Sequence, residues 1–390
     1  MKGYAAIAFF ICTWWMVAFW PREEAIKACS RPTLCGPHSP LYDYLSPLSR
    51  DHLKEALQGN FLLMADLMRQ WEVDAELLTS HGVSLKQALT RSERLRAQLL
   101  ARRLTLATSE ELTSHTACDR LPYVRDDVGT LFSLRYPFVR FLPQTYVSGG
   151  IGLTLCPITS LVAIHRGLWN QPQLYPPHRL QQIPMTIDRL DGEALFQNRP
   201  DVAFVALYSN PHALQTLRNQ QIPLFFANKI GSLQDIFQTI QTLGHVYNRP
   251  QEAELLVLFA RAAFEALDAR VQLAHPQKML YVTYRERFFL PGNQSVTYEL
   301  LQRLGLNSAL SSSLEGVWRL PIDREQIVTW GPEKLIVSSP QHSQNAEQLK
   351  HDPAFRGKEI RVIDEDVQET PNHFVVLAYF DLVNAVLGAP

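Results

Sequence analysis

The sequence predicts an α/β protein: two α/β lobes joined by one long helix, preceded by a membrane-targeting segment and a small helical region. Three observations carry this expectation. From about Leu131 onward short β-rich runs alternate with helical ones, the signature of α/β architecture. Pro250 to Leu273 then runs 24 residues without an internal glycine or proline and with apolar residues on more than one face. Such a stretch predicts a buried, continuous helix of about 36 Å at 1.5 Å per residue. After it the strand–helix pattern starts again.

A chain of 390 residues, 46% apolar and 19% charged, can bury real cores, which excludes a disordered or fibrous class. Lys plus Arg total 37 against 38 for Asp plus Glu, a net charge of −1. No basic excess marks the chain for nucleic acid.

Gly3 to Trp20 contains 18 residues without a charge, set between Lys2 and Pro21-Arg22-Glu23-Glu24. That length can span a bilayer, and the tryptophans near its end suit the membrane interface. Phe19 and Trp20 occupy the place where a cleavable signal needs small residues. Residues 1–20 are therefore read as an uncleaved anchor in preference to a cleaved signal peptide. The rest of the chain is expected in the periplasm or cell envelope, held at the inner membrane through residues 3–20. The five cysteines are too few for a disulfide scaffold. Cys29 and Cys35 are close enough in sequence to bridge in an oxidising compartment, and a reduced pair fits equally well.

Residues 21–49, with Pro32, Pro37, Pro40 and Pro47, read as a linker. Residues 50–130 read as a helical region: Leu53, Leu57, Leu62, Leu63, Leu67 and Met68 fall at helical spacing after a candidate cap at Asp51. Its arginine-rich stretch, Arg91 to Arg103, reads as a solvated helix face beside an apolar stripe. The amino-terminal lobe is placed at 131–249. Its candidate strands are PFVRFL (Pro137–Leu142), SLVAIH (Ser160–His165), VAFVALY (Val202–Tyr208) and PLFFAN (Pro223–Asn228). Helices are expected around Tyr146–Leu155, Glu193–Gln197 and Ala213–Asn219, and after a cap at Ser232. The linking helix is placed at 250–273 and the carboxy-terminal lobe at 274–390. That lobe has strands KMLYVTY, RFFL, KLIVSS and EIRVID, helices SVTYELLQRLG and REQIVTW, and the closing helix FVVLAYFDLVNAVLG.

Four runs in this order resemble a known family, the helix-linked periplasmic binding proteins that deliver iron-siderophores, haem or cobalamin to ABC importers. They are EALFQNRPDVAFVA (Glu193–Ala206), LGHVYNRPQEAELL (Leu243–Leu256), LPGNQSVTYELLQRLG (Leu290–Gly305) and IDREQIVTWGPEKLIVSS (Ile322–Ser339). The resemblance covers roughly residues 135–390. It implies a solute-binding protein that takes an iron chelate, haem or a corrinoid between its lobes and docks on the membrane subunits of an ABC transporter. In the family one surface glutamate per lobe makes that docking contact, and the matching positions are Glu193 and Glu325. Either would also be favoured in a helix's first turn by the macrodipole, with no partner at all.

Ligands of such folds bind where loops converge at the carboxyl ends of strands. That places Gln144, Thr145 and Tyr146, then His165 and Arg166, then Tyr208 and Ser209 on the amino-terminal side. The other lobe contributes Tyr284, Arg285 and Arg287, Trp318, and Ser339 with His342. Tyr146, His165, Arg166, Tyr208, Tyr284, Arg285, Trp318 and His342 form the candidate ligand set. The aromatics offer flat surfaces, and Arg285 offers a partner for carboxylates or phosphates. A tyrosine at a strand end, however, is as readily a packing residue.

His165, His342 and His373 are too scattered for a metal site, and no HExxH or CxxC occurs. GxxxxGK[ST] and GxSxG are missing as well. SGGIG (Ser148–Gly152) lacks the third glycine of a dinucleotide fingerprint and reads as a flexible turn. No enzyme activity or cofactor is expected. The alternative function is a membrane-anchored envelope protein that uses a degenerate binding-protein scaffold for protein interaction, without transport.

Overall fold

The computed structural model describes residues 49–64, 66–68, 122–134, 137–187, 199–227, 229–271, 278–306, 315–340 and 348–388. The apolar run at 3–20, Cys29, Cys35, the arginine-rich stretch, Glu193 and His342 lie outside them.

The first helix, α1 (Arg50–Leu57), starts at Ser49, whose hydroxyl accepts the His52 N–H at 3.1 Å. A hairpin follows, β1 (Tyr123–Arg125) against β2 (Leu131–Ser133). It crosses the boundary drawn at residue 130, where the sequence carries too short an alternating run to show it. Asp126 closes its turn by accepting the Val128 and Thr130 N–H groups, and its other oxygen accepts from Phe226 N at 3.3 Å.

In the amino-terminal lobe β3 (Phe141–Pro143), β6 (Val202–Val205) and β7 (Leu224–Phe226) form a parallel sheet in the order β3-β6-β7. A second parallel pair, β4 (Ile164–His165) and β5 (Thr186–Ile187), lies beside it through a Phe141–Leu161 bridge. All four residues of β6 are buried, as expected of a parallel strand covered on both faces. The Arg-Pro-Asp turn before β6 has a clear structural purpose. Asp201 accepts both Val139 N and Arg140 N at 2.9 Å and thereby aligns β3 with β6.

The lobe's helices are α2 (Tyr146–Leu155), the single turn α3 (Pro177–Leu180), α4 (Pro211–Asn219) and α5 (Leu233–Val246), the last capped by Ser232. SGGIG is not a turn. It lies inside α2, which is buried from Val147 to Leu155. A Cβ on Gly150 would overlap the Tyr175 hydroxyl and approach Asn372 Nδ2 to 2.6 Å, so the glycine is required by packing.

α6 (Pro250–Val271) spans about 33 Å. Leu256, Phe259, Ala263 and Leu267 are fully buried along it, and it packs on α5 and on the closing helix α10 (Val375–Leu387). The carboxy-terminal lobe is a five-stranded mixed sheet, order β10-β9-β8-β11-β12. Its strands are β8 (Met279–Tyr284), β9 (Phe288–Pro291), β10 (Arg319–Ile322), β11 (Lys334–Ser339) and β12 (Glu359–Asp364). β8, β11 and β12 run parallel, whereas β9 is antiparallel to both neighbours. Three helices complete it: α7 (Val296–Arg303), α8 (Arg324–Trp330) and α9 (Glu365–Gln368). Lys334 is 3% exposed, and its ammonium donates to the Ala385 and Val386 carbonyls and pairs with Glu359 at 3.2 Å. A cation at the end of α10 is favoured by the helix dipole.

α1 joins this core and touches both lobes. Leu53, Ala56 and Leu57 are fully buried within the main apolar cluster. Arg50 forms a two-point ion pair with Asp381 of α10, at 2.9 and 3.1 Å. At its other end the Leu57 carbonyl accepts from Thr154 of α2 and from His373 at 3.1 Å, and Gln58 donates to the Leu174 carbonyl.

Candidate functional site

The loops at the carboxyl ends of the strands bring the amino-terminal candidates together in two groups. Thr145 caps α2, and Gln144 is fixed by Ser209, whose hydroxyl donates to Gln144 Oε1 at 2.7 Å. Tyr146 donates to Gln171 Oε1 and stands edge-on to Tyr175 with 5.9 Å between ring centres. Burial pushes its phenol up to about 12, so the hydroxyl stays protonated as a donor. His165 sits beside it: Gly167 N donates to His165 Nδ1 at 3.0 Å, which leaves the ring proton of the neutral imidazole on Nε2. Arg166 is exposed.

The second group is the turn after β6. The sequence extends that strand to Tyr208, but it ends at Val205, because Ala206 N donates to Ser209 Oγ and Ser209 N to the Ala206 carbonyl. The tight turn pushes two apolar side chains outward: Leu207 is 67% and Tyr208 83% exposed.

On the opposite lobe Trp318 is 55% exposed, and the PGN run explains its position. Gly292 N donates to the Trp318 carbonyl at 2.9 Å, and a Cβ on Gly292 would overlap the Val317 carbonyl oxygen. Asn293 Oδ1 accepts from Gly316 N at 2.9 Å. Ser295 donates to the Gly292 carbonyl and caps α7. Tyr284 is half-buried against Phe288, 4.6 Å between ring centres. Ser339 is buried, Arg287 is exposed, and Glu325 is exposed in the first turn of α8 behind an Asp323–Gln326 capping box.

Arg285 has partners that the sequence did not reveal. Its Nε donates to both oxygens of Glu365 at 2.9 and 3.0 Å, and its Nη2 to Glu369 at 3.1 Å. Arg319, next to Trp318, pairs with Glu369 and lies 3.9 Å from Glu365. Glu365 is 1% exposed; burial raises its carboxyl above the usual range, and the two arginines pull it back. Arg319, Glu365, Glu369 and Leu207 join the candidate set, and sequence reading did not include them. The acidic run that follows EIRVID was the available signal for two of them.

The lobes meet beside this site. Gln171 donates to the Asp366 carbonyl at 3.1 Å and Gln173 to Asp364 at 3.3 Å. Asn372 donates to the Tyr175 hydroxyl at 2.8 Å, and Tyr175 stands edge-on to Phe374. No group of three or more His, Cys, Asp or Glu able to hold a metal ion occurs among the described residues.

The periplasmic binding protein family model matches residues 163–359, from the residue before β4 to the first residue of β12. The chain belongs to the periplasmic binding protein family. Its members are solute-binding proteins and not enzymes. Solved structures share the two-lobed fold at low identity. The haem-binding protein RhuT from Roseiflexus sp. RS-1 is 17% identical, with a TM-score of 0.51 over 64% of this chain and 98% of that one. A possible iron-binding solute-binding protein from Staphylococcus epidermidis is 16% identical, TM-score 0.54, over 64% and 99%. CeuE from Helicobacter pylori, solved with Ni(II) bound, is 16% identical, TM-score 0.51, over 68% and 88%. No curated protein sequence matches the chain. Among the described residues no helix is long and apolar enough to cross a membrane.

Proposed function

We propose that this protein captures an iron chelate, haem or a corrinoid between its lobes and hands it to the membrane subunits of an ABC importer. Family membership carries the reading, and the exposed aromatics support it. Tyr208 and Trp318 are the two most exposed aromatic side chains among the described residues, one on each lobe. Their flat faces suit a macrocycle or an aromatic chelator. The similar structures named for haem, iron and nickel point to the same ligand class. The working location is the periplasm or cell envelope, with residues 3–20 as the inner-membrane anchor.

Delivery is assigned to Glu193 and Glu325 as the docking carboxylates, one per lobe. Replacing both with alanine in cells should reduce uptake severalfold and leave ligand affinity within twofold, because exposed charges set orientation and on-rate of docking. Unchanged uptake refutes the docking role.

One observation favours the scaffold alternative. α1 ties Asp381 and His373 of one lobe to Thr154 and Leu174 of the other, which holds the two lobes against each other as a fixed scaffold requires. Ligand binding with no uptake by the unaltered protein would decide for that alternative.

A further inference from the structure

Beside the contact between the lobes at Gln171 and Asp366, the carboxy-terminal lobe carries two arginines, Arg285 and Arg319, the second next to exposed Trp318, and arginines are well suited to holding carboxylates. Here both are already occupied. Arg285 gives Nε to both oxygens of Glu365 and Nη2 to Glu369, while Arg319 pairs with Glu369 and sits near Glu365. Two positive and two negative charges leave the quartet neutral. The neighbouring Glu286 and Arg287 in the β8–β9 turn add one charge of each sign, and the Asp366 carboxylate, which acts on both Arg285 and Glu365, adds one further negative charge.

We propose that this quartet makes the cleft select an uncharged or cationic ligand and reject polyanionic ones, with Glu369 as the specificity-determining residue. The proposal rests on the solute-binding reading above.

Burial enforces this selection. Glu365 is 1% exposed, so its charge is tolerated only while Arg285 and Arg319 compensate it. An anionic ligand that drew Arg285 away would strand that carboxylate. The other route for an anion is to displace Glu369, whose side chain is 36% exposed and repels it on approach. An uncharged ligand disturbs neither pair. Arg285 also has Nη1 without a bond among the described residues, a donor that an amide or hydroxamate oxygen can use without breaking the quartet. A cationic ligand gains further from the accessible carboxylate of Glu369.

The test measures dissociation constants on the full chain by tryptophan fluorescence quenching, with four probes: cyanocobalamin (uncharged), ferrioxamine B (cationic), haemin (two propionates) and ferric enterobactin (trianionic). Cyanocobalamin or ferrioxamine B should bind at least about tenfold tighter than either anionic probe. Glu369→Gln, which keeps shape and removes the charge, should shift the ratio by about tenfold toward the anions, and Glu369→Ala should shift it the same way. An anionic probe that binds the unaltered protein tightest, or a ratio unmoved in both variants, overturns the charge selection and leaves solute binding standing. Failure of all four probes to bind overturns the solute-binding reading, and this proposal with it.

Discussion

Replacing His373 with glutamine should remove an acid sensitivity that the fold carries in its core. His373 is fully buried just before α10, with Nε2 donating to the Leu57 carbonyl at 3.1 Å and 3.0 Å from Thr154 Oγ1. Its Nδ1 has no partner among the described residues, and Phe374 covers the ring at 4.4 Å. A proton on Nδ1 would place a charge and an unpaired donor in an apolar core. Burial accordingly depresses the imidazole from its usual 6.5 to about 3, against a small opposing pull from the Leu57 carbonyl. The unfolded chain binds this proton below pH 6.5 and the native state does not. The stability contribution is therefore complete above the unfolded value and is lost as pH falls from about 6.5 toward 3. Between pH 7.5 and pH 5 the linkage amounts to about 2 kcal/mol. Denaturant unfolding at both pH values, on the unaltered protein and on His373→Gln, isolates it, since every other titrating group is common to the two proteins. The expected result is a pH-dependent loss smaller by about 2 kcal/mol in the variant. Equal losses in both proteins would refute the buried neutral imidazole.

Two further predictions follow from the same packing. Arg50→Ala and Asp381→Ala should each destabilise the protein, and a double-mutant cycle should return a coupling of about 1 kcal/mol, modest because Arg50 is one-third exposed. No coupling would mean that the Arg50–Asp381 pair does not help to hold α1. Gly292→Ala should cost about 3 kcal/mol, because its new methyl meets the Val317 backbone carbonyl. It should also alter quenching of tryptophan fluorescence by acrylamide as Trp318 shifts. An unaltered melting temperature would contradict the close approach.

Much of the fold was legible because it rests on local chemistry. The helix at Tyr146–Leu155, the Ser232 cap of α5, the strand KLIVSS and the closing helix all follow from nearby residues, and each is found in the structure. What was not legible depends on distant partners. Nothing near Arg50 announces Asp381, 331 positions away, and Arg285 reads as a free cation until Glu365, 80 positions on, is folded against it. SGGIG looked like a turn because the partners that require its glycines, Tyr175 and Asn372 at Gly150 and Tyr247 at Gly152, are not adjacent in sequence. Strand β6 ends early for the opposite reason, a local one: the Ser209 hydroxyl competes for the Ala206 N–H and closes the turn that exposes Tyr208.

Solute capture is tested most directly by thermal unfolding of the full chain, in mild detergent, against ferric siderophores, haemin and corrinoids. A ligand present at about 100 times its dissociation constant stabilises the native state by about 2.7 kcal/mol. For a chain of this size that raises the melting temperature by about 3 °C. Such a shift is expected with one ligand class and should be lost when Tyr208 and Trp318 are both replaced by alanine. A cooperative melt that no member of the panel moves would contradict solute capture.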